Sequence, residues 1–493
     1  MKKTNKISNT QKHIVILGGG LAGLAASYEL SRNKYQVTVI EEQEEVGGLA
    51  RTIEKNGFRF DTGPHRWYTK NDMVNTWMLK LMGSEVIQIP RLTRIYFDKK
   101  FFYYPIKFQN VVLNIGFLKA TRAVVDYFWV RFLSRLTTKK AITLEEGYIE
   151  KFGKTLYETF FKRYSEKLWG RPCSQVSADW IGQRTRGFNI ATILKDMFFK
   201  SKGVVSFVDE FSYPKKGIGR IAEKLAQETQ KMGGVIYCNT QVKKIISKNK
   251  IITGVEVVHK GKKRTIKGDY FISSIPLSDA VFFLHPKPLN RVEKLAKKLS
   301  YRDELQVTLF INKTHVTPDT WIYVHPKELS FMRVMEMTNW GEELSPKGKT
   351  SLVFEIACNE GDSLWRKSDQ MLIEMVSDEF VNEFGLVTKE NILGGYVHRM
   401  LKEYPIYHVG YREDVDEIKK YLQPYTNLQL VGRNGTFRYN NMDHSIEMGL
   451  YAAWNIIKGK NSFDIESVNI EREYLEEKQI ELVEDEYVEE EQH

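Results

Sequence analysis

Cysteine is nearly missing from this sequence. Its 493 residues hold three, Cys173, Cys238 and Cys358, set far apart. That spacing excludes a disulfide framework and a zinc knuckle, leaves no metal-ligating cluster to propose, and fits a reducing, cytoplasmic compartment. Long hydrophobic runs are absent too. No stretch approaches ~20 uncharged apolar residues, so no membrane-spanning helix is expected. The opening "MKKTNKISNTQK" is basic but leads into no apolar segment, which argues against a secretory signal. Internal repeats and low-complexity linkers are also lacking.

What is present is a large apolar fraction, 42%, enough over this length to bury the cores of two or three lobes. The net charge of +11 is unevenly spread: residues 464–493 carry 13 acids and 2 bases, which leaves the remainder near +22. A basic body attracts nucleic acid, anionic lipid or a phosphorylated metabolite. No nucleic-acid module is recognisable, so nucleic acid is set aside. The acidic end reads as a solvated helix or tail.

"HIVILGGGLAGLAASYELSRNKYQVTVIEE" reads as strand, glycine turn, helix and strand, one βαβ unit. Ile14–Leu17 and Val37–Ile40 are the strands, and Leu21, Leu24, Ala25 and Leu30 recur near helical spacing between them. From about 85 to 205 aromatics, aliphatics and bases mix in mostly helical patterns. β-like alternation follows in "GGVIYCNTQVKKIISKNKIITGVEVVHKGKKRTIKGDYFISSIP". The runs "LQVTLFI", "WIYVH" and "TSLVFEIA" predict a second sheet over 301–358. "NLQLVG" returns to a buried strand, and Ile446, Leu450, Ala453 and Ile457 mark the inner face of a closing helix.

Gly18, Gly20 and Gly23 satisfy G-x-G-x-x-G between that strand and helix. The first closes the turn, the second lets a pyrophosphate reach the backbone, and the third lets helix and strand pack closely. Leu21 and Ala22 open the helix whose positive end would hold the phosphates. Glu41 and Glu42 end the next strand about 20 residues on, where an acid binds ribose hydroxyls. The blander alternative is a structural glycine turn. A second glycine pair follows, Gly47 and Gly48, with Leu49, Ala50 and Arg51. Then comes "FDTGPH", holding Gly63, Pro64 and His65.

These segments together resemble the fingerprint of FAD-dependent oxidoreductases of the amine oxidase and protoporphyrinogen oxidase type. The resemblance implies FAD rather than NAD. It also implies a contact of the Val242 backbone with the adenine and a run of "FDTGPH" beside the isoalloxazine. Further motifs are similar to those of UDP-galactopyranose mutases: "FFKRYSEKLWG" (160–170), "RVME" with Arg333 and Glu336, "KEYPIYHVGY", and "GRNGTFRYNNMD". Asn441 stands where that family carries an aspartate, and "FSYPKKGIGRIAEKL" resembles the protoporphyrinogen oxidase side instead.

The implied fold class is α/β: a Rossmann-like FAD-binding domain of glutathione reductase type interleaved with a substrate domain of mixed sheet and helices. The expected division is an unstructured 1–12, FAD-binding parts at 13–85, 206–285 and 411–460, a helical substrate lobe at 86–205, a substrate-domain sheet at 286–410 and an acidic tail at 461–493. Gly432, Arg433, Asn441, Met442 and Ser445 are expected at the flavin, with the last helix aimed at its pyrimidine edge. Tyr164, Trp169, Arg184, Arg302, Arg333, Tyr404, Arg433 and Tyr439 are the expected substrate contacts. Of these Arg302, Arg433, Tyr404 and Tyr439 are the candidates nearest the chemistry, with Arg186 a possible helper. His65 reads as a flavin neighbour rather than a base.

Three functions follow from these residues. The first is isomerisation of a nucleotide- or phosphate-linked sugar by reduced flavin, in glycan or polysaccharide biosynthesis, with a nicotinamide nucleotide as candidate reductant. The second is dehydrogenation of a sugar, amine or tetrapyrrole by oxidised flavin. The third is a flavin-holding protein at the inner face of a membrane, suggested by "FWVRFLSRLTTKK" and "KDMFFKSK". Against the third, such stretches usually pack as the core-facing helices of a lobe, and that is the expectation here.

Overall fold

The computed structural model describes residues 12–104, 116–136, 140–184 and 210–469. β-branched residues fill strand His13–Leu17, whose last four residues are buried, as suits a strand covered on both faces. A glycine turn opens helix Leu21–Arg32, and the chain returns in strand Gln36–Ile40, parallel to the first. A helical crossover permits that parallel pairing. Three later segments complete the sheet, all parallel: Val235–Tyr237 beside Gln36–Ile40, then Tyr270–Ser273 and Leu428–Leu430 on the other side.

Against this stands a seven-stranded sheet in the order Ile392–Pro405, Tyr301–Ile311, Thr350–Cys358, Arg333–Glu336, Trp321–Val324, Thr93–Phe97, Lys100–Tyr103. Its central strands Tyr301–Ile311 and Thr350–Cys358 are buried almost throughout. The two strands at the far edge correct the expectation that residue 86 begins a helical lobe. Thr93–Phe97 and Lys100–Tyr103 form a hairpin that turns on Asp98 and Lys99, both at positive φ. Its sheet partner Trp321–Val324 lies more than two hundred residues on, so no local pattern announces it. Val86–Pro90 likewise pairs with the distant Glu210–Pro214. Helices begin at Phe117–Leu136 and continue through Leu144–Phe152, Lys154–Trp169 and Asp179–Arg184.

One buried acid ties three segments together. Asp61, at the head of "FDTGPH", is 1% exposed. It accepts hydrogen bonds from the Tyr213 hydroxyl at 2.5 Å, the Thr52 hydroxyl at 2.6 Å and the Ile218 amide at 3.1 Å. The "FSYPKKGIGR" segment is thereby fastened to the strand leading into the site. The first and last helices also touch directly. A Cβ on Gly449 would stand 2.1 Å from the Ala22 carbonyl oxygen, so glycine is required where Met442–Lys458 crosses Leu21–Arg32.

Candidate active site

The first helix begins at the carboxyl end of strand His13–Leu17, where parallel sheets place their ligands. Gly18 has φ +100°, a left-handed conformation that glycine adopts without strain, and its amide donates to the Ile40 carbonyl at 2.8 Å. Gly23 does not face the cleft. A Cβ there would lie 2.2 Å from the Gly18 carbonyl oxygen, so its smallness seats the helix on the turn. The second glycine pair is built onto the first loop, with the Gly47 amide donating to the Gly19 carbonyl at 2.8 Å.

A long cleft runs from there across the parallel sheet. It is lined by Gly18, Gly20, Leu21, Ala22, Glu41, Glu42, Gly48, Leu49, Ala50, His65, Val242, Gly432, Arg433, Asn441, Met442 and Ser445. Five separated stretches of sequence thus meet along one groove. Two helix amino termini point into it: Leu21–Arg32, and Met442–Lys458, whose first turn is closed by a capping box between Asn441 and His444. First-turn amides, which lack an acceptor within their own helix, make both ends electropositive. Glu41 is already engaged, accepting from the amides of Gly19 at 2.7 Å and Gln43 at 2.8 Å. Burial pushes its carboxyl upward, against those two bonds and the nearby Arg51. Arg51 stands behind the cleft, with Nη2 3.0 Å from His398 Nε2.

Across Arg433 and His65 the cleft meets a second cavity. Its lining includes Gly63, Pro64, His65, Tyr164, Tyr323, His325, Arg333, Glu355, Glu403, Tyr404, Arg433 and Tyr439, with Asn441 and Met442 again at the border. The mutase-like motif builds one wall. In Lys154–Trp169 the turn Tyr157–Phe161 widens to a π-helical one, a feature common at functional sites. Phe160, Phe161, Tyr164 and Ser165 line the cavity from there. Tyr164 stacks on His325 at 5.0 Å. Tyr404 and Tyr439 lie parallel, 6.0 Å apart, and the Arg433 guanidinium sits over both rings at 5.5 and 4.7 Å.

Two expected contacts are not brought to this cavity. Arg302 is buried away from it, its guanidinium donating to the carbonyls of Leu168 at 2.8 Å and Ala357 at 2.9 Å. It packs on Gly170, where a Cβ would meet it at 2.8 Å, and it braces the "KLWG" turn. Trp169 stands behind the wall, edge-on to Trp180 at 4.6 Å and to Tyr404 at 6.4 Å. In both cases the motif is present but the side chain faces the protein interior. Arg184 ends helix Asp179–Arg184, and its side chain, like all of Arg186, lies outside the described residues. Glu336 is structural, accepting from the amides of Val316 and Thr317.

Sequence reasoning missed the carboxylates on the cavity floor. Glu355 pairs with Arg333 at 2.5 Å, and Glu403 with Arg433 at 3.3 Å. Glu304 lies buried beside them, pushed well upward by burial and by repulsion from Glu355 and Glu403. Burial likewise raises Glu403, to about 7, with Arg433 opposing and Glu355 adding. A signal was available for Glu355, the one acid of the apolar strand "TSLVFEIAC", since buried acids are rare without a partner; Glu304 adjoins Asp303 and Glu403 follows Lys402, so neither stands out. Burial lowers His65 and His325 to about 3, helped at His65 by Arg433 and Arg333 and at His325 by Lys167. Both rings are neutral at neutral pH.

The cleft fits a flavin dinucleotide. The backbone beside Gly20 is open enough for a phosphate, since a Cβ there would meet only the Gly48 Cα at 3.9 Å. Two buried polar atoms on its border, His65 Nδ1 and Asn434 Oδ1, have no hydrogen-bond partner among the described residues, as expected of groups awaiting a ligand. A family model for flavin-containing amine oxidoreductases matches residues 21–457. The chain belongs to that family. It is an FAD-dependent enzyme, and the cleft is where its residues fit that group.

Individual relatives are more distant. L-amino acid oxidase Cdc18 of Crotalus durissus cumanensis is 42% identical over 74 residues, 15% of each chain. A probable UDP-galactopyranose mutase of Klebsiella pneumoniae is 25% identical over 218 residues, 44% of this chain and 53% of the relative. These alignments therefore span only part of those relatives. In contrast, the crystal structure of reduced UDP-galactopyranose mutase superimposes with a TM-score of 0.78 at 21% identity. It covers 93% of this chain and 99% of the other. The likeness shows a shared fold.

Proposed function

We propose that this flavoenzyme isomerises a nucleotide- or phosphate-linked sugar with its FAD in the reduced state. The observation that carries this reading is Arg433, which lies at the seam between the FAD cleft and the second cavity, over the rings of Tyr404 and Tyr439. Its Nε and Nη2 both donate to the Asn440 carbonyl, at 3.1 and 2.8 Å, and its Nη1 to Glu403 at 3.3 Å, so it would offer a substrate phosphate a fixed positive charge rather than an open fork, at the border where a sugar phosphate would meet the flavin. FAD, when bound, supplies the electron-rich ring for covalent catalysis. The chain holds and orients. Tyr404 and Tyr439 would flank the substrate, Tyr164 would close the cavity wall, and the rigid Glu403–Arg433 pair fixes the guanidinium. His65 and His325, lowered to about 3, are weak proton acceptors at neutral pH, which suits a reaction asking little proton transfer of the protein.

A second reading has its own support. Two of the three arginines lining the cavity, Arg333 and Arg433, are paired with glutamates, so the floor is less cationic than its arginines alone imply. Such a floor would also receive a neutral or cationic substrate for dehydrogenation by oxidised FAD. The two readings differ in their electron requirement. The isomerase needs a reductant, for which a nicotinamide nucleotide is the candidate, and consumes none per turnover. The dehydrogenase needs an acceptor every cycle.

Anaerobic reduction of the purified protein, followed by incubation with a panel of nucleotide sugars, separates them. Isomerised product from the reduced enzyme alone supports the proposal; turnover only with oxidised flavin and an acceptor transfers support to the second reading. Arg433→Ala is expected to weaken nucleotide-sugar binding at least tenfold while the protein stays yellow. Loss of flavin with unchanged substrate affinity would contradict the role given to Arg433.

A further inference from the structure

Helix Phe117–Leu136 has two apolar faces, and only one is used. Ala120, Ala123 and Tyr127 are buried against the body, and Asp126, the helix's one acid, accepts hydrogen bonds from the amide and hydroxyl of Thr155. At ~100° per residue, the opposite side carries Leu118, Val125, Trp129, Phe132 and Leu136 in one stripe, with Phe128 beside it. All six are exposed, Leu118 at 85% and Trp129 at 60%. This reverses the expectation that the aromatics of this segment face a core. On the inner face Ala120 and Ala123 are small, and the helix lies close to Gly153, where a Cβ would stand 3.0 Å from the Tyr127 amide nitrogen. The large side chains are left outside.

The charges around the stripe have one sign. Exposed Lys119 and Arg122 flank it, while the sole acid is turned toward Thr155 and Arg131 folds back over the Tyr127 ring. Arg131 also lines a surface groove together with Lys140, Lys151 and Glu150. Aromatic and aliphatic side chains on one face with cations on its flanks match an anionic bilayer, whose headgroups take the cations while the apolar stripe enters the acyl boundary. The chain beyond its acidic end adds a strong positive balance that would favour approach. No described helix is long and apolar enough to cross a membrane, so the geometry is that of a helix lying in the interface.

We infer that this helix docks the enzyme on an anionic lipid surface. Its neighbour Leu144–Phe152 contributes Tyr148 and Phe152 to the substrate cavity and Gly147 and Lys151 to the basic groove. Docking would therefore hold that cavity beside the bilayer. The inference does not depend on which reaction the flavin performs.

The test is flotation of the full-length, FAD-loaded protein on liposomes of phosphatidylglycerol and phosphatidylcholine, and of phosphatidylcholine alone. Most of the protein is expected to float with the anionic vesicles at low salt, and little with the neutral ones. Trp129→Glu with Phe132→Glu should reduce flotation at least tenfold while leaving the flavin spectrum and melting temperature unchanged. If that pair does not fold, Lys119→Glu with Arg122→Glu should lower flotation on anionic vesicles severalfold. Wild-type protein that stays at the bottom of the gradient overturns the inference. So does a wild-type dimer that the Trp129/Phe132 variant dissolves without any lipid binding, which would make the stripe a contact between copies.

Discussion

At the scale of single residues, the site is governed by how far burial moves buried acids. Glu403 is held near 7, so around neutral pH it passes between a neutral acid and a carboxylate paired with Arg433. As pH rises through 7 the carboxylate forms and claims more of the guanidinium. Affinity for an anionic substrate analogue should therefore fall over that range by calorimetric titration, and Glu403→Gln should flatten the dependence. Asp61 is a cleaner case for stability. Burial raises it to about 7, with Thr52, Tyr213 and the Ile218 amide opposing. Its folded value exceeds its unfolded one, so the neutral folded form is favoured at low pH. Its contribution is full below the unfolded value and is lost as pH climbs through about 7. At 1.36 kcal/mol per pKa unit the swing is on the order of 4 kcal/mol. Denaturant unfolding should show lower stability at pH 8 than at pH 5, and Asp61→Asn should remove most of Asp61's share of that slope. Neither effect is visible in the motif that contains the residue. "FDTGPH" announces a flavin neighbour, but that its aspartate is a buried bracket follows from Tyr213 and Ile218, which lie over 150 residues away.

At the scale of elements, glycine and helix ends decide what can approach what. Gly23 and Gly449 perform one task from opposite ends of the chain. One seats the first helix on its turn, and the other lets the last helix cross the first at Ala22. In an isolated helix, glycine costs ~1 kcal/mol relative to alanine, so Gly449→Ala would stabilise the helix alone. Here the new methyl meets a backbone carbonyl that cannot rotate away, and overpacking of about 3 kcal/mol outweighs the propensity gain. Thermal unfolding should register a net loss, with FAD retention weakened because both helix amino termini border the cleft. The first of these glycines was legible, since its spacing from Gly18 and Gly20 carries the meaning. The second was not, because its partner is set by topology. The hairpin Thr93–Tyr103 was misread for the same reason: its strands are stabilised by a neighbour far along the chain, and at five and four residues they are too short to separate strand from helical periodicity.

Taken as a whole molecule, the charge distribution makes its own prediction. Residues 470–493 hold 11 acids and 2 bases, a balance of −9, so truncation after Asn469 changes the net charge from +11 to +20. The field outside the protein grows accordingly. The truncated protein should elute later from a cation exchanger and float more completely on anionic vesicles, with both differences shrinking as salt shortens the Debye length below ~10 Å. Equal elution of the two forms would show that the acidic segment does not set the long-range field.

The sequence by itself determined a dinucleotide-binding turn and the order of the segments that meet along the cleft, because backbone turns and helix starts are local properties that glycine, proline and apolar spacing encode directly; the flavin came from the resemblance of its motifs. It also carried the identities of Tyr164, Arg333, Tyr404, Arg433 and Tyr439, which do line the second cavity. Only the tertiary structure decided which side chains face that cavity. Arg302 and Trp169 turn inward, Glu355 and Glu403 come up beneath the arginines, and the aromatics of Phe117–Leu136 turn outward. Direction depends on which distant surface an element packs against. Such a choice rests on close fit between segments hundreds of residues apart, and no local run of residues records it.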